Sequence, residues 1–169
     1  LDMNNNRLHE VKTGVLGTDG VNLGQVQSLV AGIGVFKGGY NATTGLTVPD
    51  GLEIEGANGR KISIDYRYND CMELLTPIVY VHGFKGFKDW GSSNSVADEF
   101  AENGFFYLKF NFSHNGVTTE NPIDFIDLEA FGNNNYWLEF VELGLIIDWL
   151  EKENLPINFS KLSVIGHSR

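Results

Sequence analysis

Ser168 is the residue of this chain whose setting most directly suggests chemistry. It stands in the run Leu162-Ser163-Val164-Ile165-Gly166-His167-Ser168-Arg169, where an apolar, β-branched stretch leads into Gly-His-Ser. A strand that ends in a sharp turn between small neighbours holds a serine hydroxyl out toward a substrate carbonyl, and the strained backbone lets that carbonyl come close. The run matches the first part of a G-x-S-x-G nucleophile elbow, whose second glycine would fall just after Arg169. In architectures with this elbow the acid and the histidine of the triad follow the serine along the chain. Both are therefore expected beyond Arg169, and neither is assigned.

A second signal lies in Pro77-Ile78-Val79-Tyr80-Val81-His82-Gly83-Phe84. Its Val and Ile content predicts a buried strand, and Gly83 frees the backbone to turn directly after it. Acyl transfer builds a tetrahedral oxyanion that needs fixed donors, one of them a backbone N–H in the loop after such a strand. The Phe84 N–H is the candidate there, and the Arg169 N–H, directly after the nucleophile, is the other. Both donors belong to the main chain, so neither side chain is required for this role.

The elements that must position these groups alternate between strand and helix. Residues 95–98 offer a capping box, with Ser95 and Asp98 satisfying the first N–H groups of a helix that runs through Phe100 and stops near Gly104. Residues 105–112 read as an aromatic-rich strand closed by Ser113-His114-Asn115-Gly116. A second helix is expected over 135–153, apolar on nearly every side and so covered on more than one face, with Pro156 ending it. Residues 161–165 form the strand that delivers Ser168. Crossovers of this length predict a parallel sheet with helices packed on it, and sites in such sheets gather at the carboxyl ends of the strands. Ahead of them, 52–66 alternates polar and apolar residues around Asn58-Gly59, a hairpin signal that predicts an antiparallel edge.

Residues 51–169 resemble the amino-terminal half of an α/β-hydrolase of the dienelactone-hydrolase-like, small serine-esterase or peptidase type. The resemblance rests on Val81-His82-Gly83-Phe84-Lys85-Gly86, Phe112-Ser113-His114-Asn115-Gly116, Asp127-Leu128-Glu129-Ala130-Phe131-Gly132 and Ile165-Gly166-His167-Ser168-Arg169. It implies a truncated α/β-hydrolase fold: a mostly parallel sheet, an N-terminal antiparallel hairpin and helices on both faces. It also implies a nucleophile at Ser168, an oxyanion donor at Phe84, a small-molecule acyl substrate and no cofactor.

Residues 1–50 stand apart as a leader or an unrelated fused segment. Nine of the 20 glycines fall here. A short helix is expected over 22–30 and extended pieces over 35–45. This stretch is loosely similar to repeat-connecting segments of phage tail-fibre and other virion structural proteins. Two other readings follow for the whole chain: a noncatalytic fragment, or a structural protein carrying a hydrolase-like passenger.

Composition sets the remaining bounds. With 42% hydrophobic and 12% aromatic residues, 169 residues can fill one core. The net charge of −10 is uneven, with 3 basic and 4 acidic residues in 1–50 against 9 and 18 in the rest. Such acidity repels phosphate backbones and anionic lipid, so neither nucleic acid nor membrane is an expected partner. No apolar run is long enough to span a bilayer. Cys71 is the one cysteine, which excludes an internal disulfide and fits a reducing cytoplasm. The oligomeric state is not legible.

The other candidate residues carry two readings each. His82 and His167 sit beside the glycines of their motifs and read as local packing and hydrogen-bonding groups, with Gly83 and Gly166 supporting the turns. His114 follows a strand end and either lines the site or supports it from behind. Phe84, Phe87 and Trp90 either wall an acyl pocket or pack their own loop. Asp124, Asp127 and Glu129 read as a solvated acidic face. No His, Cys or carboxylate pair has metal-ligand spacing, so no metal site is expected.

Overall fold

The computed structural model describes residues 46–47, 51–69 and 74–168, all within one of the chain's two compact units, Lys37–Arg169. The expected elements over 22–30 and 35–45 lie outside the described residues, as do Cys71 and Arg169.

Alternation and the Asn-Gly turn produce the expected hairpin. Strand β2 (Leu52–Glu55) pairs antiparallel with β3 (Lys61–Asn69), from Leu52↔Ile64 to Glu55↔Lys61. Between them Asn58 and Gly59 take φ values of +57° and +72°, the left-handed pair that such a turn requires. The far end of β3 pairs with β1 (Leu46–Thr47). Strands β4 (Thr76–Val81), β5 (Phe105–Phe110) and β6 (Ser163–Gly166) complete a mixed sheet of order β1-β3-β5-β4-β6. β3 meets β5 antiparallel, whereas β4 runs parallel to both β5 and β6. The parallel part therefore carries both sequence signals on neighbouring strands.

Helices cover both faces, which explains why the central strands read as nearly continuous apolar runs. On one face, α1 (Ser93–Glu102) brings Ala97, fully buried, against Ile78 and Tyr107. On the other, Ile146 and Leu150 of α3 (Tyr136–Lys152) join Val79, Phe106 and Leu108 in the main core. Tyr66 stacks on Phe106 with ring centroids 4.8 Å apart, extending that core along β3. A short helix, α2 (Leu128–Gly132), precedes α3.

Two local expectations need correction. The capping box at 95–98 does not form, because α1 starts at Ser93 with Ser92 as an N-cap that makes no side-chain bond. Asp98 instead binds the fully buried Arg67 at 2.5 Å, since a buried guanidinium gains more from a carboxylate than a solvated helix end does. The second correction concerns α3, which is covered on one face only among the described residues. Trp137 and Phe140 are 71% and 69% exposed, because no described element packs against them.

Candidate active site

The parallel register of β4 and β6 sets the geometry of the site. Val81 pairs with Gly166, and the His167 N–H donates to the Val81 carbonyl at 3.0 Å. The two strands thus end level, and the next residues of each, His82-Gly83 and His167-Ser168, turn side by side. Ser168 sits at φ +63°. For a non-glycine residue this left-handed conformation is strained, and it is the backbone shape that lifts a nucleophile clear of its strand. Gly83 lies against it: a Cβ at Gly83 would fall 2.6 Å from the His167 carbonyl oxygen and 3.0 Å from Ser168 Cβ. Only a glycine allows that approach. Gly166 is different, since a Cβ there meets nothing within 4 Å. Arg169, the other oxyanion candidate, lies outside the described residues.

The loop after β4 is tightly turned and firmly held. The Gly86 N–H donates to the Gly83 carbonyl at 2.9 Å, and Lys85 between them has φ +57°. The Lys88 N–H donates to Asn111 Oδ1 at 2.6 Å, while Asn115 Nδ2 reaches the Gly86 carbonyl at 3.3 Å. Phe84, 58% exposed, leans on Phe131 of α2 with centroids 5.3 Å apart. Phe87 and Trp90 pack edge to face at 5.3 Å, so these two rings contact each other within the loop.

Behind the loop lies a buried ion network on the α1 face of the sheet. Lys109, fully buried near the carboxyl end of β5, donates to Asp89, to Asp65 at 3.0 Å and to Asn94 Oδ1 at 2.5 Å. Burial alone would raise the Asp89 carboxyl, but the adjacent Lys109 and Lys88 ammonium groups outweigh it and hold it below its ordinary value. The network ties the 88–94 segment to the central strands.

The histidines occupy separate places. His82 is buried, its ring edge-on to Phe112. Its Nε2 accepts from the Phe112 N–H at 3.3 Å, and its Nδ1 lies 2.9 Å from the Gly83 carbonyl, to which it donates. Both ring nitrogens are thereby committed to holding the turn. His167 is exposed beside Ser168. His114 is 5% exposed and stands apart from both, beyond the end of β5. Burial, then the charge of Arg60, lowers its pKa, against the opposing pull of Glu142 and Asp127.

Residues that the sequence reading left unassigned surround His114. Glu142 of α3, 1% exposed, accepts from the Ala57 N–H, the Ser113 N–H and the Ser113 hydroxyl. Arg60 pairs with Asp127 and donates through Nε to the Ser113 carbonyl at 3.0 Å. Asp127 is therefore not part of a merely solvated acidic face. Its Oδ1 caps α2 by accepting from the Ala130 N–H at 3.1 Å. That hydrogen bond first, and the Arg60 guanidinium with it, hold its carboxyl below the usual range. The signal for Asp127 was present in Asp127-Leu128-Glu129-Ala130, a start-of-helix pattern; nothing local marks Glu142.

No protein-family model matches the chain, and no curated protein matches it by sequence. Solved structures do match. A cold-adapted esterase from an Arctic intertidal metagenomic library aligns with 78% of this chain at 17% identity and a TM-score of 0.58. Esterase Est22 aligns with 84% at 18% identity and 0.55, and a bacterial brefeldin A esterase, described as a homologue of human hormone-sensitive lipase, with 72% at 18% and 0.51. The chain spans 54%, 43% and 30% of those three proteins. At these identities the likeness establishes the fold, which is that of the α/β-hydrolases, present here in part. Among the described residues no helix is long and apolar enough to cross a membrane.

Proposed function

We propose that residues 51–169 form the nucleophile-bearing part of a serine hydrolase that cleaves an ester or related acyl bond. The observation that carries this reading is the conformation of Ser168, at φ +63° directly after a parallel strand and against Gly83. Esterases of the same fold add support. In this mechanism the Ser168 Oγ bonds to the acyl carbon while its proton passes to a histidine. The carbonyl π electrons move onto oxygen, and the Phe84 and Arg169 N–H groups stabilise that oxyanion. Collapse of the tetrahedral species breaks the bond to the leaving group, which takes the proton back from the histidine. Water then repeats the sequence on the acyl-enzyme, releasing the acid and restoring Ser168.

The histidine and the acid that orients it are assigned to chain following Arg169. His82 does not suit the role, because both of its ring nitrogens are occupied by backbone groups. The test is labelling by a serine-directed fluorophosphonate in protein expressed from its full reading frame. Labelling at Ser168, lost in Ser168→Ala, is expected. Labelling that persists undiminished in that variant rules the assignment out.

A further inference from the structure

Three phenylalanine rings run in contact away from the turn that carries Gly83. Phe84, whose N–H is the proposed oxyanion donor, leans on Phe131 with ring centroids 5.3 Å apart, and Phe131 meets Phe125 edge to face at 4.6 Å. Phe84 and Phe125 are 58% and 36% exposed, and Phe131 between them is half-buried. Leu128, also exposed, stands three residues before Phe131 in α2, which puts the two side chains on one side of that helix.

The row is held from both ends. A Cβ at Gly116, where φ is +97°, would collide with the Phe125 ring, so that ring is seated directly on the main chain of the turn after β5. The Asp127 N–H donates to the Gly116 carbonyl at 3.0 Å, and Asp127 pairs with Arg60 and caps α2. At the other end the Gly86 N–H closes the Phe84 loop onto the Gly83 carbonyl at 2.9 Å. Rings fixed in this way lose little freedom when a ligand lies on them, so the apolar surface they leave open is prepared for binding.

Position names the occupant. A carbonyl whose oxygen accepts from the Phe84 N–H brings its own chain within reach of the Phe84 ring, because donor and ring belong to one residue. Phe87 and Trp90, the other rings of that loop, pack on each other instead. Lys85 Nζ stands over the Phe84 ring at 5.8 Å, and its stem adds aliphatic surface there. At the far end Asp124 and Glu129, next in the chain to Phe125 and Leu128, are exposed carboxylates, which disfavour a chain that ends in a negative charge.

We propose that Phe84, Phe131 and Phe125 form the wall along which an uncharged, medium-length alkyl acyl group lies, so that the substrate is an ester of an acid such as hexanoic or octanoic acid. This rests on the reading of Ser168 as nucleophile and adds the class of acyl group to it. An acetyl group reaches no further than Phe84, whereas a longer chain also meets the second and third rings.

The test uses protein expressed from its full reading frame, with reactive Ser168 first counted by fluorophosphonate labelling. kcat/KM is then measured for p-nitrophenyl acetate, butanoate, hexanoate and octanoate. A wall covers one side of the chain, realising about half of the full burial of each methylene, so kcat/KM should rise by about twofold per added methylene up to hexanoate. Phe131→Ser should lower the hexanoate-to-acetate ratio by about fivefold, and so should Phe84→Ser, which keeps the N–H and removes an exposed ring whose loss does not threaten folding. Three results overturn the proposal: labelled enzyme whose kcat/KM is flat or falls from acetate to hexanoate, a rise that neither variant reduces, or a preference that follows only the alcohol, in hexyl against ethyl acetate. In all three the Ser168 assignment stands, because the label has reported it; absence of labelling removes both.

Discussion

Gly83 and Ser168 occupy neighbouring strand ends so closely that a single methyl group at Gly83 would press to 3.0 Å from the Ser168 Cβ. The contact joins two strand-end turns that are far apart in sequence. Its tightness makes it testable without any substrate.

Gly83→Ala should destabilise the protein by about 1–3 kcal/mol, because the nearest obstacle is the His167 backbone carbonyl, which cannot rotate away like a flexible side chain. Gly166→Ala, where a Cβ meets nothing within 4 Å, should cost much less. Urea denaturation of the two variants side by side checks this; equal midpoints would show that the turns are not pressed together.

The network around Lys109 gives a stability prediction of larger size. Lys109→Met removes the fully buried ammonium that Asp65 and the half-buried Asp89 share, leaving Lys88 as the cation on Asp89 at 2.6 Å, a loss of about 3 kcal/mol. The Asp89 carboxyl is held below its ordinary value, so its contribution is complete above the unfolded pKa of about 4 and disappears as pH falls through the lower folded one. Asp89→Asn should therefore flatten the acid limb of a stability-against-pH curve below about pH 4. An unchanged acid limb would mean that Asp89 is not paired as described.

His114 supplies a second pH window. Arg60 from the β2–β3 turn, Asp127 and Glu129 around α2 and Glu142 from α3 are the charged groups about it. Its folded pKa is lowered, so the unfolded chain takes up a proton first. Stability should decline as pH falls through the unfolded value of about 6.5 and level off below the folded one. Thermal melts from pH 8 to 5 should show this decline in the wild type and its loss in His114→Gln.

Trp137 and Phe140 stack at 5.9 Å on the uncovered side of α3, and β6, paired only with β4 among the described residues, exposes Val164 and Ile165 by 47% and 37%. Open strand edges and apolar patches of this kind favour association. The 169-residue chain should self-associate with rising concentration in sedimentation velocity, and the double variant Trp137→Lys, Phe140→Glu should reduce it. Monomeric behaviour of the wild type at high concentration would contradict the expectation.

The order of strands and helices was legible because its causes are local. Asn58-Gly59 sets a left-handed turn, β-branched residues favour β4, and Asn135 caps α3 by accepting from the Leu138 N–H at 3.0 Å. Each lies within a few residues of the structure it produces. The Gly-His-Ser turn after β6 belongs to the same class, as its shape is a property of its own backbone.

Partnership was decided elsewhere. Asp98 reads as a helix cap and serves Arg67; Lys109 interrupts an apolar strand and proves to be the centre of a buried ion network; Glu142, unmarked within a helix apolar on nearly every side, anchors Ser113 across 29 positions. Nothing in a short window distinguishes a charge that meets water from one that meets a partner brought in by another strand or helix. The amino-acid sequence alone determined where the chain turns and which stretches pack. Only the tertiary structure, by setting strand order and helix placement, decided that Gly83 touches Ser168 and that Glu142 reaches Ser113.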